Sequence, residues 1–463
     1  MLLACAAISP AQGQELKLPA YERIEFENGL ELFLLRRATI PMISVELWVD
    51  AGSTADPKGQ EGLATATAEA LRKGAGELDA AAFAEALDQL GADFSTSVDA
   101  ERTRVSMDFL AKDLDASFSL FREALLRPRF DATEMQKLTA QMAENVTEAK
   151  DNPRNVLSSY HEAHLFGDHA YGNPSLGTEE SYARIDAATL RRFHRDHYGA
   201  DRMIVAVAGD IDIERMRTLV AESFGRHERA AAPRPLVPAP EEVVGRQVLL
   251  VNKVDTPQTW FIIGGMGPRW GAADYAATEL VRTIFGGRFT SWLNQELRIN
   301  SGLSYGARFG LRRLRDGGSA SISSFTATQT TKEALDLALA TLDRLHDEGI
   351  GSEDLLSAKS YLKGQRPYDY ETASDLAAAI CHIEFYDLGR THVDDLFAMI
   401  DAVTLDDCRR VVATYFGREN LRFTCIGVAS EVKDILAAYG GLTVRENSDV
   451  GFHAASATNT LNR

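Results

Sequence analysis

Hydrophobic and polar positions alternate from Ile24 to Arg37 and break at Asn28-Gly29, the signature of a hairpin. Ile43 to Val49 reads as a strand with Ser44 and Glu46 on its polar face, closed by Ala51-Gly52-Ser53 and a polar loop to Gly59. Gly62 to Lys73 and Ala80 to Leu90 are spaced as helices, and Asp93 to Leu110 as two alternating strands. Leu114 to Leu126 and Ala132 to Lys150 are long helices, the second stopping before Asp151-Asn152-Pro153. Much further on, Phe289 to Leu297 has the spacing of an amphipathic helix, with Phe289, Trp292, Leu293 and Leu297 on one face. Arg298 ends it, Gly302 breaks it, and Leu303-Ser304-Tyr305 opens an extended run. A cation and a phenol thus flank one tight turn.

The pattern repeats. Ile185-Asp186-Ala187-Ala188-Thr189-Leu190 returns 215 residues later as Ile400-Asp401-Ala402-Val403-Thr404-Leu405. Each copy opens a helix ending near a tyrosine, Tyr198 or Tyr415. A strand closing on Gly209 or Gly427 follows, then another helix. Four prolines within Ala230 to Pro240 make a semi-rigid spacer between the copies. The chain divides into a first domain over 20–228, a Pro-rich linker over 229–242, a second domain over 243–446 and a polar tail over 447–463 expected to be disordered.

Composition narrows the class. Among 463 residues, 45% are hydrophobic and 25% charged, as in an ordinary globular chain. A net charge of -18 argues against a nucleic-acid partner, which needs clustered Lys and Arg. The four cysteines form no CxxC pair, so neither a zinc knuckle nor a redox motif is present. Cys5 lies in a short apolar start that ends at Ala11-Gln12-Gly13, read as a signal peptide over 1–13 and implying a periplasmic or secreted protein. Three cysteines would remain, which disfavours a disulfide framework. No later run is apolar enough for a membrane span.

On spacing alone, Arg298 is a helix C-terminal cation and Tyr305 a strand aromatic. Leu297-Arg298, a short polar turn and Gly302-Leu303-Ser304-Tyr305 together resemble the second-domain motif of the pitrilysin/insulinase zinc peptidases, the inverzincins. Phe166-Gly167-Asp168-His169, Leu176-Gly177-Thr178-Glu179 and Val207-Ala208-Gly209 in the first half, and Ile426-Gly427 in the second, fit the same family. The resemblance covers nearly the whole chain. It implies an α+β fold of two homologous halves, each a mainly antiparallel sheet with helices on one face, arranged as a clamshell. It also implies that Arg298 and Tyr305 bind substrate peptide.

Active relatives carry His-x-x-Glu-His on the helix after the first strand, with a further Glu on a later helix. Here Gly62-Leu63-Ala64 and Lys73-Gly74 frame that helix, but its motif positions hold Thr65, Ala68 and Glu69, and the later helix offers Asn145 or Glu144. No histidine precedes His161. His161-Glu162-Ala163-His164 has helical i, i+3 spacing and is read either as a helix end or as a two-imidazole metal pair. The resemblance therefore implies no catalytic residue in the chain alone, no metal site and no cofactor. Arg298 and Tyr305 remain as substrate-binding residues, and zinc is expected in a partner: an inverzincin subunit with an intact motif, as in a bacterial heterodimeric peptidase. A structural paralogue, a peptide-binding module and a divergent peptidase stay open.

Overall fold

The computed structural model describes residues 16–234 and 236–454, so the leader expected over 1–13 lies outside it. Two six-stranded sheets organise the molecule. The first is built from β1 (Glu22–Glu25), β2 (Glu31–Arg36), β3 (Met42–Val49), β4 (Asp93–Val98), β5 (Thr103–Leu110) and β6 (Met203–Gly209), in the order β1-β2-β6-β3-β5-β4. The second holds β7 (Gln247–Asn252), β8 (Gln258–Met266), β9 (Ala307–Arg313), β10 (Gly318–Ala327), β11 (Arg422–Gly427) and β12 (Gly441–Glu446), in the order β9-β10-β8-β11-β7-β12. Five strands of each sheet follow one path. The order β2-β6-β3-β5-β4 in the first matches β7-β11-β8-β10-β9 in the second, with a single parallel pair at β2/β6 or β11/β7. The sixth strands differ: β1 is antiparallel to β2, and β12 is parallel to β7. This is the two-half α+β architecture that the repeat implied, with the halves as the two valves of a clamshell.

The first half supplies α1 (Leu63–Ala70), α2 (Ala80–Leu90), α3 (Leu114–Leu126), α4 (Ala132–Asp151), α5 (Pro153–Phe166), α6 (Ala187–His197) and α7 (Ile213–Phe224). The second supplies α8 (Tyr275–Arg282), α9 (Thr331–Asp347), α10 (Ser352–Gln365), α11 (Ala373–Phe385), α12 (Leu405–Tyr415) and α13 (Ala429–Leu436). Side chains inside each half cover one sheet face. Leu32, Leu34, Ile43, Val45 and Leu47 pack with Phe83, Phe118, Phe121 and Phe224 of the first half. Val248, Leu250, Phe261, Ile263 and Phe423 pack among second-half helices.

The opposite face of each sheet is closed by a helix from the other half. α11 lies across β3 and β6, with the Cys381 thiol over the carbonyls of Glu46 and Ile204 and Phe385 edge-on to Trp48. α5 lies across β8 and β11. The expectation that Ser44 and Glu46 line a polar strand face is corrected here: both are buried, because that face is roofed by α11. Glu46 is satisfied inside the protein, accepting from Trp48 Nε1 at 2.7 Å and from the Arg104 guanidinium. Burial raises its carboxyl above the usual range in spite of that pairing.

The chain ends repeat the exchange. Leu16 and Leu18 join the core that holds the second-half helices, and Leu18 N–H donates to Asp394 at 2.8 Å. After β12 the chain turns back onto the first half, which corrects the disordered tail for residues 447–454. Phe452 is fully buried with its ring centroid 4.9 Å from that of Tyr160. Lys150 binds Glu179 at 2.6 Å and the Asp449 carbonyl at 2.8 Å, and Arg445 donates to carbonyls of Asp449, Gly451 and His453. Residues 455–463 lie outside the description.

Two predictions follow from these crossings. Removing the Phe452 ring leaves a cavity in a closed site, so Phe452→Ala should lower unfolding free energy by about 3 kcal/mol or more. Urea titrations of variant and parent measure it, and coincident midpoints would show the segment to be dispensable. The second concerns α5. His161 and His164 both approach Thr424 Oγ1, at 3.1 and 3.2 Å, beneath the second sheet. Burial, then the neighbouring imidazole and Arg422, hold His161 at about 3; burial and Arg422 hold His164 at about 4. Both rings are neutral in the folded chain, whereas the unfolded chain takes up protons near pH 6.5. Their contribution is complete above that pH and is lost as pH falls toward 4 and then 3. The parent should therefore lose melting temperature more steeply between pH 6.5 and 4 than His161→Gln/His164→Gln does.

Candidate functional site

The Arg298/Tyr305 segment is built differently from a single amphipathic helix. A π-helical turn over Thr283–Gly287 ends at Gly286-Gly287, and only Trp292–Asn294 is α-helical. Gln295–Asn300 is again π-helical, so Arg298 lies inside it rather than at its end. Phe289, expected on the buried face, precedes the helix and is 61% exposed. The physical reason is local. Arg288 is extended, Ser291 starts the helix, and a wider i to i+5 turn accommodates Ser301 N–H on the Glu296 carbonyl at 3.1 Å. Leu293 and Leu297 still fill the core.

Gly302 turns the chain with φ at 67°, a conformation open to glycine at low cost. The turn is fastened to β10. Thr326 Oγ1 donates to the Leu303 carbonyl at 2.8 Å, and Ser324 Oγ reaches Ser304 Oγ at 2.9 Å. Asn294 Oδ1 caps the first N–H of β9, that of Ala307, at 2.9 Å. These anchors hold the Arg298 guanidinium 4.3 Å from the Tyr305 ring centroid and 4.8 Å from that of Phe289. Tyr305 is 74% exposed. Arg298 pairs with no carboxylate among the described residues. The pair borders a recess of about 420 Å³ that Gln258, Leu303 and Phe325 also line. Its donors can meet a peptide carbonyl or a carboxylate from one side.

The first-half positions do not converge. α1 is packed through Leu63, Ala64, Ala66 and Ala70. Asp56 holds its start, accepting Gly62 and Ala64 N–H at 2.7 Å each, and burial pushes its carboxyl up to about 8. Thr65 Oγ1 donates to the Ser175 carbonyl at 2.6 Å, Ala68 is buried, and Glu69 accepts from Thr96 Oγ1 at 3.0 Å. Glu144 and Asn145 are exposed on α4, the latter accepting from Gln141 at 3.0 Å. Among the described residues no three or more His, Cys, Asp or Glu side chains are grouped to hold a metal. A hydroxyl committed to a carbonyl and a carboxylate held by Thr96 stand where a zinc site has its two imidazoles, and the methyl group of Ala68 stands where it has its general base. His161 and His164 serve the α5 interface described above. Sequence reasoning missed the aromatic wall beside Arg298: Trp260 on β8 and Phe325 on β10 stack at 4.4 Å, a pairing that only strand register reveals.

A duplicated α+β fold, with Thr65, Ala68 and Glu69 on the first-half helix and a half-buried Arg298 beside an exposed Tyr305 in the second half, is the layout of a metallopeptidase-type chain. The chain belongs to the insulinase-like M16 peptidase family. Residues 32–179 match the model for insulinase (peptidase family M16), and residues 184–362 that for the peptidase M16 inactive domain. It is 28% identical over 346 residues to an uncharacterized zinc protease of Mycobacterium leprae, covering 74% of this chain and 77% of that one. It is 22% identical over 390 residues to the non-peptidase homolog YmxG of Helicobacter pylori, covering 84% and 89%. The structure of a peptidase M16 inactive domain from Pseudomonas fluorescens superposes with a TM-score of 0.83 at 23% identity, covering 88% of this chain and 98% of that one. A protease structure from Helicobacter pylori gives 0.82 at 21%, covering 88% and 100%. The two solved structures show the same fold. Metal analysis of the purified chain should find well under one zinc per molecule, and one tightly held zinc would place ligands where the geometry has none.

Proposed function

We propose that this chain is the non-zinc, substrate-binding subunit of a heterodimeric metallopeptidase. The observation that carries the reading is the asymmetry between the halves. Thr65, Ala68 and Glu69 do not supply two imidazoles and a general base, whereas Arg298 and Tyr305 stand side by side, anchored from below, with the Tyr305 ring open to solvent. The partner would be a family member with an intact His-x-x-Glu-His helix, supplying zinc and its water. Tyr305 would donate its phenol proton to the carbonyl oxygen under attack, where negative charge develops. Arg298 would orient the peptide and add positive charge beside the same oxygen. The peptide would bind as an extended segment.

A second reading, a structural or peptide-binding paralogue with no catalytic contribution, is favoured by the likeness to a non-peptidase homolog. Reconstitution separates the two. In a complex with the zinc-bearing partner, Tyr305→Phe should lower kcat on the order of 10²-fold with little change in substrate affinity, because the hydrogen bond strengthens only as charge builds. Arg298→Ala should weaken affinity as well. Both variants should melt with the parent, since neither side chain belongs to the core. Full hydrolysis by the Tyr305→Phe complex would leave the paralogue reading in place.

A further inference from the structure

Cα register places Trp260 opposite both Phe325 and Ile426, Ile262 opposite Thr424, and Gly264 opposite Arg422. These residues share the sheet face that α5 crosses. α5 covers one end of it, where His161 and His164 reach Thr424. Gly264 leaves room there: a Cβ at that position would lie 2.9 Å from His161 Nε2. Toward the other end the stacked Trp260/Phe325 pair is only half-buried. Phe325 borders the same recess as Arg298 and Tyr305. Arg308, opposite Ser323 on the edge strand β9, is exposed on that face. Neither Arg298 nor Arg308 has a carboxylate partner among the described residues, in a chain of net charge -18.

An apolar wall beside an uncommitted cation defines a chemistry. We propose that Phe325, backed by Trp260, is a specificity subsite for a large apolar side chain of an extended peptide, with an adjacent acidic group of that peptide facing Arg298. The inference deepens the reading of Arg298 and Tyr305 as substrate-binding residues and rests on it. It names the preferred segment as an apolar residue next to an acidic one. The stacked pair supplies a flat surface with little entropy left to lose, because Trp260 holds the Phe325 ring. Arg298 supplies a planar donor fork already oriented between Phe289 and Tyr305.

The test uses the full chain and four acetylated, amidated, fluorescently labelled heptapeptides that differ only at two central positions, Phe or Ser followed by Asp or Asn. Anisotropy titrations should rank Phe-Asp tightest, with the Phe to Ser change weakening binding on the order of 10-fold. Phe325→Ala should abolish the Phe/Ser difference and keep the Asp/Asn difference, and Arg298→Ala should do the reverse. Phe325→Leu, which preserves bulk, should retain most of the Phe preference and controls for misfolding. Absence of peptide binding, or Phe325→Ala that still discriminates Phe from Ser, would overturn the proposal. Its failure is distinct from failure of the heterodimer. A reconstituted complex that cleaves Phe and Ser peptides equally refutes the subsite alone. Phe-selective binding with no hydrolysis alongside any zinc-bearing partner refutes the heterodimer alone.

Discussion

Each sheet of this protein is completed by a helix it does not own. α11 roofs the first sheet over Trp48 and Glu46, and α5 roofs the second over Thr424 and Gly264. An isolated half would expose a sheet face bearing large apolar groups, and the hydrophobic term that stabilises burial scales with the area so exposed. Residues 16–18 and 447–454 cross in the same reciprocal sense, the first onto second-half helices and the second onto α4 and α5. The two halves are therefore interlocked at four places, and the Pro-rich segment between them is not what sets their relation. Buried polar groups lie at these crossings. Glu46 pairs with Arg104 of its own sheet beneath α11, and His161 and His164 of α5 meet Thr424 of the second sheet.

Rigidity of this kind matters to the candidate site because the site is only a turn. Between Asn300 and Ala307 the chain has no regular structure of its own, and its geometry comes from Ser324 and Thr326 of a central strand and from Asn294. Ser324 and Thr326 belong to the strand that also carries Phe325, whose side chain points to the other face. One strand thus fixes the turn with its even-numbered hydroxyls and supplies the aromatic wall with the residue between them. The site is as precise as the sheet beneath it.

Much of the fold was legible because its signals are local. The hairpin at Asn28-Gly29, α2 and the duplicated Ile-Asp-Ala segments follow from spacing and capping that a few residues decide. What escaped depends on contacts made far along the chain. Ser44 and Glu46 look solvent-facing until α11, more than 320 residues later, covers them. Phe452 sits in a polar tail whose composition alone suggests disorder, yet Tyr160 and Arg445 give that segment a docking place. Periodicity puts Phe289 on the apolar face of a helix, but the helix begins after it and widens into a π turn. Arg298 and Tyr305 were found through resemblance, and their juxtaposition at 4.3 Å is a property of the turn that periodicity does not encode.

The energetics of the two halves point in opposite directions. On α1 the core is filled by Leu63, Ala64, Ala66 and Ala70, while Thr65 and Glu69 lie on the half-buried flank. Thr and Glu at these two positions leave the packing of the helix intact, so the fold does not depend on imidazoles there. Arg298 and Tyr305 contribute little to that same fold. An exposed cation–π contact stabilises by about 0.5–1 kcal/mol, and a tyrosine 74% exposed gives up most of the burial its ring could provide. Phe289, stacked on the same guanidinium and 61% exposed, adds more uncovered apolar surface at one place. Folding gains little from two open aromatic rings around an uncommitted guanidinium, and the peptide ligand proposed for this site would cover the rings and satisfy the cation.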